Sequence, residues 1–256
     1  MAEEKMNKDE YSVIVDHATI RFNMASEKID NLKEYFIKLV KHQLMFQEFL
    51  ALNDVSLKVR KGESWGIIGT NGSGKSTLLS ILAGTLSRTG GVFLIDGEDV
   101  FSNTQKRNQL VGFVPQGTPL IDELSARDNL LLWYDRGAMK QELENGVLKL
   151  LGIPDFIKVP VRKMSGGMKK RLSIGCAMAT KPPILLLDEP TAALDLACKQ
   201  NIAEYLQKYR QAGGIILLAT HDERELSMCD RLYILKNGVL QEYVHTGNMR
   251  QLVNSL

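Results

Sequence analysis

An α/β fold with a mixed sheet is what the sequence predicts, and three observations carry it. Short β-rich runs alternate with longer stretches of helical spacing over most of the 256 residues. Two runs, Ile184–Leu187 and Ile215–Leu218, are apolar without alternation, as expected of central strands covered on both faces by helices. Between Ser125 and Ala179 the strand signals stop and three amphipathic stretches take over, which marks an inserted α-helical subdomain.

Taken in order, the first strand is expected at Ser12–Val15. Ala25–Gln47 then reads as a helix, amphipathic over 26–41. Ser26 suits its N-cap, and Ile29, Leu32, Phe36, Leu39 and Val40 share one face. Lys28, Lys33, Lys38 and Lys41 populate much of the rest, so this helix suits a membrane surface, a membrane partner, or plain packing on its own domain. Strands follow at Leu52–Val59 and Ser64–Ile68, a helical stretch at Leu78–Ala83, and strands at Val92–Ile95 and Gly112–Pro115. The subdomain helices are expected at Ala126–Trp133, Lys140–Leu151 and Met168–Ala179. After the two central strands, given as 184–187 and 215–219, come Leu232–Leu235 and Leu240–Tyr243, then a short tail, Asn248–Leu256.

No internal repeat or low-complexity linker interrupts the chain, so one domain spans 1–256. Its parts are N-terminal strands with the inserted helix (11–60), a core (61–115 and 180–245), the helical subdomain (116–179) and the tail (246–256). At 44% hydrophobic and 24% charged, the composition is that of a soluble globular chain and excludes a disordered regulator. A net charge of +2 is too small to give the field of a general nucleic-acid binder, so no nucleic acid is expected as partner. Cys176, Cys198 and Cys229 are odd in number and lie in no metal-ligand spacing, which points to a reducing compartment. The start, MAEEKMNKDE, is acidic where a secretory leader would be basic, and no apolar run is long enough to span a bilayer.

The chemistry begins at Gly69-Thr70-Asn71-Gly72-Ser73-Gly74-Lys75-Ser76-Thr77, which follows a short apolar strand and opens a helical stretch. That strand-loop-helix context gives the G-x-x-x-x-G-K-[ST] pattern its meaning as a P-loop. Gly72 and Gly74 let the backbone curl so that N–H groups face an anion, and the helix N-terminus favours it. Lys75 is expected to reach the β- and γ-phosphates and the Ser76 hydroxyl to bind Mg²⁺. Further on, the strand ending in Asp188-Glu189 has the form of a Walker B segment. Asp188 holds Mg²⁺ in this reading, and Glu189 polarises the attacking water.

With these in place, Met164-Ser165-Gly166-Gly167-Met168 resembles the LSGGQ signature of ABC-transporter ATPases, at the head of a helix between the P-loop and the Walker B segment. Nearly the whole chain shares the resemblance, which implies the ABC ATPase architecture. It also implies that Gln116 is the Q-loop glutamine and a metal or water sensor, that Ala193-Leu194-Asp195 is the D-loop, and that His221 is the switch histidine. Two such domains then pair head to tail as a homodimer, with each ATP between one P-loop and the partner's Ser165, Gly166 and Gly167. An aromatic is expected to stack on adenine, and Phe46, Phe49 and Phe22 are the candidates, with Phe46 preferred. The basic group Arg162, Lys163, Lys169, Lys170 and Arg171 beside the signature reads as a solvated helix face, with attraction of the partner's nucleotide as the alternative.

Departures from the shared motifs suggest the branch. The stretches Phe22–Lys41 and Phe46–Ser56 resemble the ATP-binding subunits that export teichoic acids and O-antigen or capsular polysaccharides. Leu110–Tyr134 is closer to general ABC-2 exporters of drugs, peptides or lipids, and the tail is too short to hold a carbohydrate-recognition domain. The resemblance therefore implies a Mg²⁺- and ATP-dependent subunit of an ABC-2-type exporter, held at the cytoplasmic face of the membrane by a separate permease. Its expected cargo is a lipid-linked glycan; the alternatives are a drug, peptide or lipid exporter and, more remotely, a soluble non-transport ATPase.

Overall fold

The computed structural model describes residues 12–25, 46–87, 89–192 and 194–244. Two sheets organise the chain. The first is antiparallel, in the order β2-β1-β4-β5, formed by β1 (Val13–Ala25), β2 (Phe46–Val59), β4 (Gly90–Ile95) and β5 (Glu98–Asp99). The second runs β10-β9-β3-β8-β7-β6. Five of its strands are parallel: β3 (Ser64–Ile68), β6 (Val111–Val114), β7 (Ile184–Asp188), β8 (Ile215–Ala219) and β9 (Arg231–Lys236). The sixth, β10 (Val239–Tyr243), pairs antiparallel with β9, so the sheet is mixed as expected.

The unbroken apolar runs of β7 and β8 are explained by their two covered faces. Leu186 and Leu217 join one core with Leu78, Leu79 and Leu82 of α1 (Lys75–Ala83), whereas Leu185, Leu187, Ile216 and Leu218 join a second core under the helical subdomain. Period-two alternation thus splits one apolar run between two cores.

The N-terminal strands differ from their expected lengths. β1 does not stop at Val15 but pairs with β2 out to Met24↔Gln47 and Ala25↔Phe46, so both ends of the expected 25–47 helix are strand. Matching bulges at His17 and Asp54, both at positive φ, interrupt the register and allow so long a hairpin to twist. The amphipathic segment 26–41 lies outside the described residues.

The subdomain carries α3 (Ala126–Leu130), α4 (Arg136–Asn145), α5 (Val147–Leu150) and α6 (Gly166–Ala177), after α2 (Thr104–Leu110) of the core. The expected helix 140–151 is broken at Gly146, whose backbone is extended. There the Glu142 carboxylate accepts from the Val147 N–H at 2.8 Å and occupies the space a Cβ on Gly146 would need. Three helices were not expected at all: α2, α7 (Leu196–Gln211), whose apolar face of Cys198, Ile202, Tyr205 and Leu206 enters the second core, and α8 (Glu223–Ser227). Among the described residues, no helix is long and apolar enough to cross a membrane.

Candidate active site

The loops that leave the C-terminal ends of β3, β6, β7 and β8 converge, as ligand-binding loops of open parallel sheets do. After β3 the chain turns tightly into α1. Gly72 has φ 81° and Gly74 φ 107°, both in the left-handed region, and a Cβ on Gly74 would press on the Ala51 carbonyl at 2.8 Å. Because Gly74 is also the N-cap, α1 starts without a side-chain cap. Its first-turn N–H groups therefore look to a ligand rather than to the protein's own side chains. Lys75 is buried, and its ammonium donates to the carbonyls of Gly69 at 2.6 Å and Thr70 at 3.1 Å. Burial holds its pKa below the ordinary lysine value, while the carboxylates of Glu189 and Asp188 act the other way.

Asp188 closes β7 and is 3% exposed. Desolvation raises its pKa, and the hydrogen bond from the Ser76 hydroxyl opposes that rise. The hydroxyl and the carboxylate thus lie side by side, a hard-oxygen pair suited to Mg²⁺ that keeps most of its sites for water and phosphate. Thr70 and Asn71 form the turn before Ser73, whose N–H donates to the Thr70 carbonyl at 3.1 Å; the buried Ser73 hydroxyl has no protein partner among the described residues. A polar cradle with an uncapped helix start and an unused hydroxyl fits a polyphosphate. Thr77 lies one residue beyond Ser76, in the first turn of α1.

Glu189 lies at the centre. Its φ of 45° is left-handed for a residue with a side chain, a costly conformation held here by its N–H donating to the Ala219 carbonyl at 2.8 Å. Gln116, just after β6, donates from Nε2 to Glu189 Oε2 at 3.3 Å. His221, just after β8, brings Nε2 to 3.7 Å from Glu189 Oε1. Two side chains from neighbouring strand ends therefore meet on the carboxylate that follows β7.

The signature and D-loop form a separate exposed edge. Ser165 caps α6, accepting from the Met168 N–H at 3.2 Å, and Ser165 and Gly166 are exposed. Gly167 is buried, with no room for a Cβ beside Cys198 Sγ. Asp195 caps α7 through the Cys198 N–H at 2.8 Å, and that bond holds its carboxyl below the usual range. Ala193 lies outside the described residues.

Among the aromatic candidates, Phe22 packs partly buried at the edge of the first core and pairs in backbone register with Phe49. The P-loop approaches this hairpin at Ala51, so Phe49 and Phe22 lie about 7 Å along the strand from the contact and Phe46 about 17 Å, at the usual strand rise. Lys170, read from sequence as solvated, is buried at 5% exposure. It faces inward because its ammonium binds the carbonyls of Pro115 and Gln116, a partner pair no local sequence signal announces.

This geometry defines a P-loop nucleotide-binding ATPase domain of the ABC type. The family model described as ABC transporter matches residues 52–192, more than half of the chain, and the chain belongs to that family. Its curated relatives include the linearmycin resistance ATP-binding protein LnrL of Bacillus subtilis (strain 168), 32% identical over 79% of this chain and 66% of its own length. A Nod factor export ATP-binding protein I of Sinorhizobium fredii is 34% identical over 79% of this chain and 60% of its own length. The chain thus spans roughly two thirds or less of these relatives, at 66% and 60%. Among solved structures, a dimeric post-hydrolysis state of an ATP-binding cassette bound to ADP and Pi superposes with TM-score 0.75. It is 28% identical, and the match covers 90% of this chain and 97% of that one.

Proposed function

We propose that the chain is the ATP-hydrolysing subunit of an exporter, working as a head-to-tail pair on a separate ABC-2-type permease, with a lipid-linked glycan as cargo. The observation that carries the hydrolytic part is the meeting of Gln116 and His221 on Glu189. In this reading the P-loop amides and Lys75 bind the phosphates of ATP, and Ser76 with Asp188 holds Mg²⁺. When bound, the ion neutralises charge on the phosphate oxygens. Glu189 takes the proton of the attacking water, His221 hydrogen-bonds the γ-phosphate, and Gln116 orients the carboxylate and the water. Ser165, Gly166 and Gly167 serve the partner's nucleotide. The exposure of Ser165 and Gly166 suits that role, and the dimeric state of the superposed cassette supports it.

Permease docking is placed in the groove of about 570 Å³ between β6 and the helical subdomain, where Trp133 is 63% exposed beside Pro119 and Leu120. So large an exposed aromatic in an apolar groove marks an interaction site. Phe22 is assigned to the adenine. Phe22→Ala is expected to weaken ATP binding by about threefold to tenfold, with Phe46→Ala close to wild type. Titration with a fluorescent ATP analogue measures both, and the reverse ranking would overturn the assignment.

The glycan reading rests on the resemblance of the N-terminal insertion; the 32% identity to a linearmycin resistance protein favours drug export as the second reading. ATPase activity of the co-expressed permease complex in lipid separates them. Stimulation by an undecaprenyl-linked glycan, lost when Ile29, Leu32 and Phe36 are all changed to Ser, is the expected result. Stimulation by linearmycin, with no response to the glycan, would establish the second reading.

A further inference from the structure

The five basic residues around the signature are not equivalent. Lys169 pairs with Asp122 at 3.3 Å near the surface, and the Arg171 guanidinium lies 5.0 Å from the Phe156 ring centroid and donates to the Leu151 carbonyl at 3.1 Å. Lys170 alone points to the interior, where an ammonium is costly unless its donors are used. Its Nζ donates to Pro115 O at 2.9 Å and to Gln116 O at 3.1 Å.

We propose that Lys170 is a positioning residue for Gln116, a strut tying the glutamine loop to the helix that Ser165 caps. Two chain segments meet in this contact. Lys170 sits on α6 of the inserted subdomain, one turn beyond Gly167, while Pro115 and Gln116 leave the end of core strand β6. The same residue whose backbone is held donates its side-chain amide to Glu189 at 3.3 Å. Movement of α6 relative to the core must therefore carry Gln116 with it or break two charge-assisted hydrogen bonds. Through Lys170, the signature that serves one nucleotide and the glutamine that serves the other are parts of one rigid unit. Burial lowers the lysine pKa while Asp188, Glu189 and Glu225 oppose that shift, so the ammonium sits within the field of the hydrolytic carboxylates. The inference rests on reading Gln116 and Glu189 as hydrolytic groups.

The test is a double-mutant cycle on the full chain, reading kcat and KM for MgATP, the Kd of a fluorescent ATP analogue and the thermal midpoint. Lys170→Met is expected to lower kcat by about tenfold to a hundredfold, as small misplacements of a reacting group do. Nucleotide affinity should stay within about threefold of wild type, and Lys170→Arg, which keeps charged donors, should recover most of the rate. In Gln116→Ala, adding Lys170→Met should cost nothing further, because the group it positions is gone. Multiplicative losses in the double variant, or a Lys170→Met defect beside wild-type rates for Gln116→Ala, would overturn the proposal. Should Lys170→Met fail to fold, Lys170→Gln, which keeps an amide donor, takes its place in the same cycle. Glu189→Gln serves as reference: wild-type turnover there would sink the reading of the site, whereas an inactive Glu189→Gln with multiplicative losses sinks Lys170 alone.

Discussion

Glu189→Gln is expected to cut steady-state ATP hydrolysis by about a hundredfold to ten-thousandfold while nucleotide binding is preserved, the range a positioned general base contributes. The substitution is nearly isosteric. The amide oxygen of Gln at this position still accepts from Gln116 Nε2, which lies 3.3 Å from the present Oε2, so local geometry persists. What is lost is the negative charge that takes a proton from water and that attracts the His221 imidazole 3.7 Å away. The backbone strain at φ 45° is unchanged, because it belongs to the position and not to the carboxylate. A binding titration beside a phosphate-release assay checks both halves. Loss of binding together with rate would mean that the residue supports the fold of the pocket, and full turnover would remove it from the mechanism.

Legibility in the sequence followed the range of the interactions involved. The P-loop and the Asp188-Glu189 pair are readable because local backbone form and adjacent residues carry their chemistry, and in the structure the first turns into α1 while β7 ends at Asp188. Gln116 and His221 gain meaning only where strands β6 and β8 flank β7 and bring their loops to Glu189, a neighbourhood that only tertiary topology creates. Without the family resemblance, neither residue would have stood out.

Misreadings have the same origin. The long β1–β2 pairing hid behind the amphipathic pattern of 26–41, because partners such as Met24 and Gln47 lie far apart in sequence and only the backbone ladder joins them. Gly146 breaks a helix whose side-chain spacing continues through it, because Glu142 folds back to cap the next one. Lys170 shares its charge and its neighbours with solvated residues; only the carbonyls of a loop 54 residues away draw it inward. Short-range pattern therefore marks the candidate phosphate site, and long-range pairing decides which other side chains face it.

Lys75→Ala is expected to weaken ATP binding by about tenfold to a hundredfold, the equivalent of one charge-assisted contact to phosphate, and to lower turnover with it. The ammonium is already desolvated and held by the Gly69 and Thr70 carbonyls, so part of the cost of ordering it is met within the loop itself. A triphosphate offers that ammonium ionised oxygens, stronger partners than neutral carbonyls. Truncation also leaves two carbonyls of the turn without their donor, yet the Gly74 and Gly72 conformations that shape the cradle stay intact. The amides therefore continue to attract anions, and residual binding is expected to be measurable rather than nil. Calorimetric titration with ATP and with ADP separates the contributions, since a lysine that reaches the γ-phosphate costs more with ATP than with ADP. Equal losses for the two nucleotides would place its contact on the β-phosphate, and unchanged affinity for both would show that the backbone cradle alone holds the substrate.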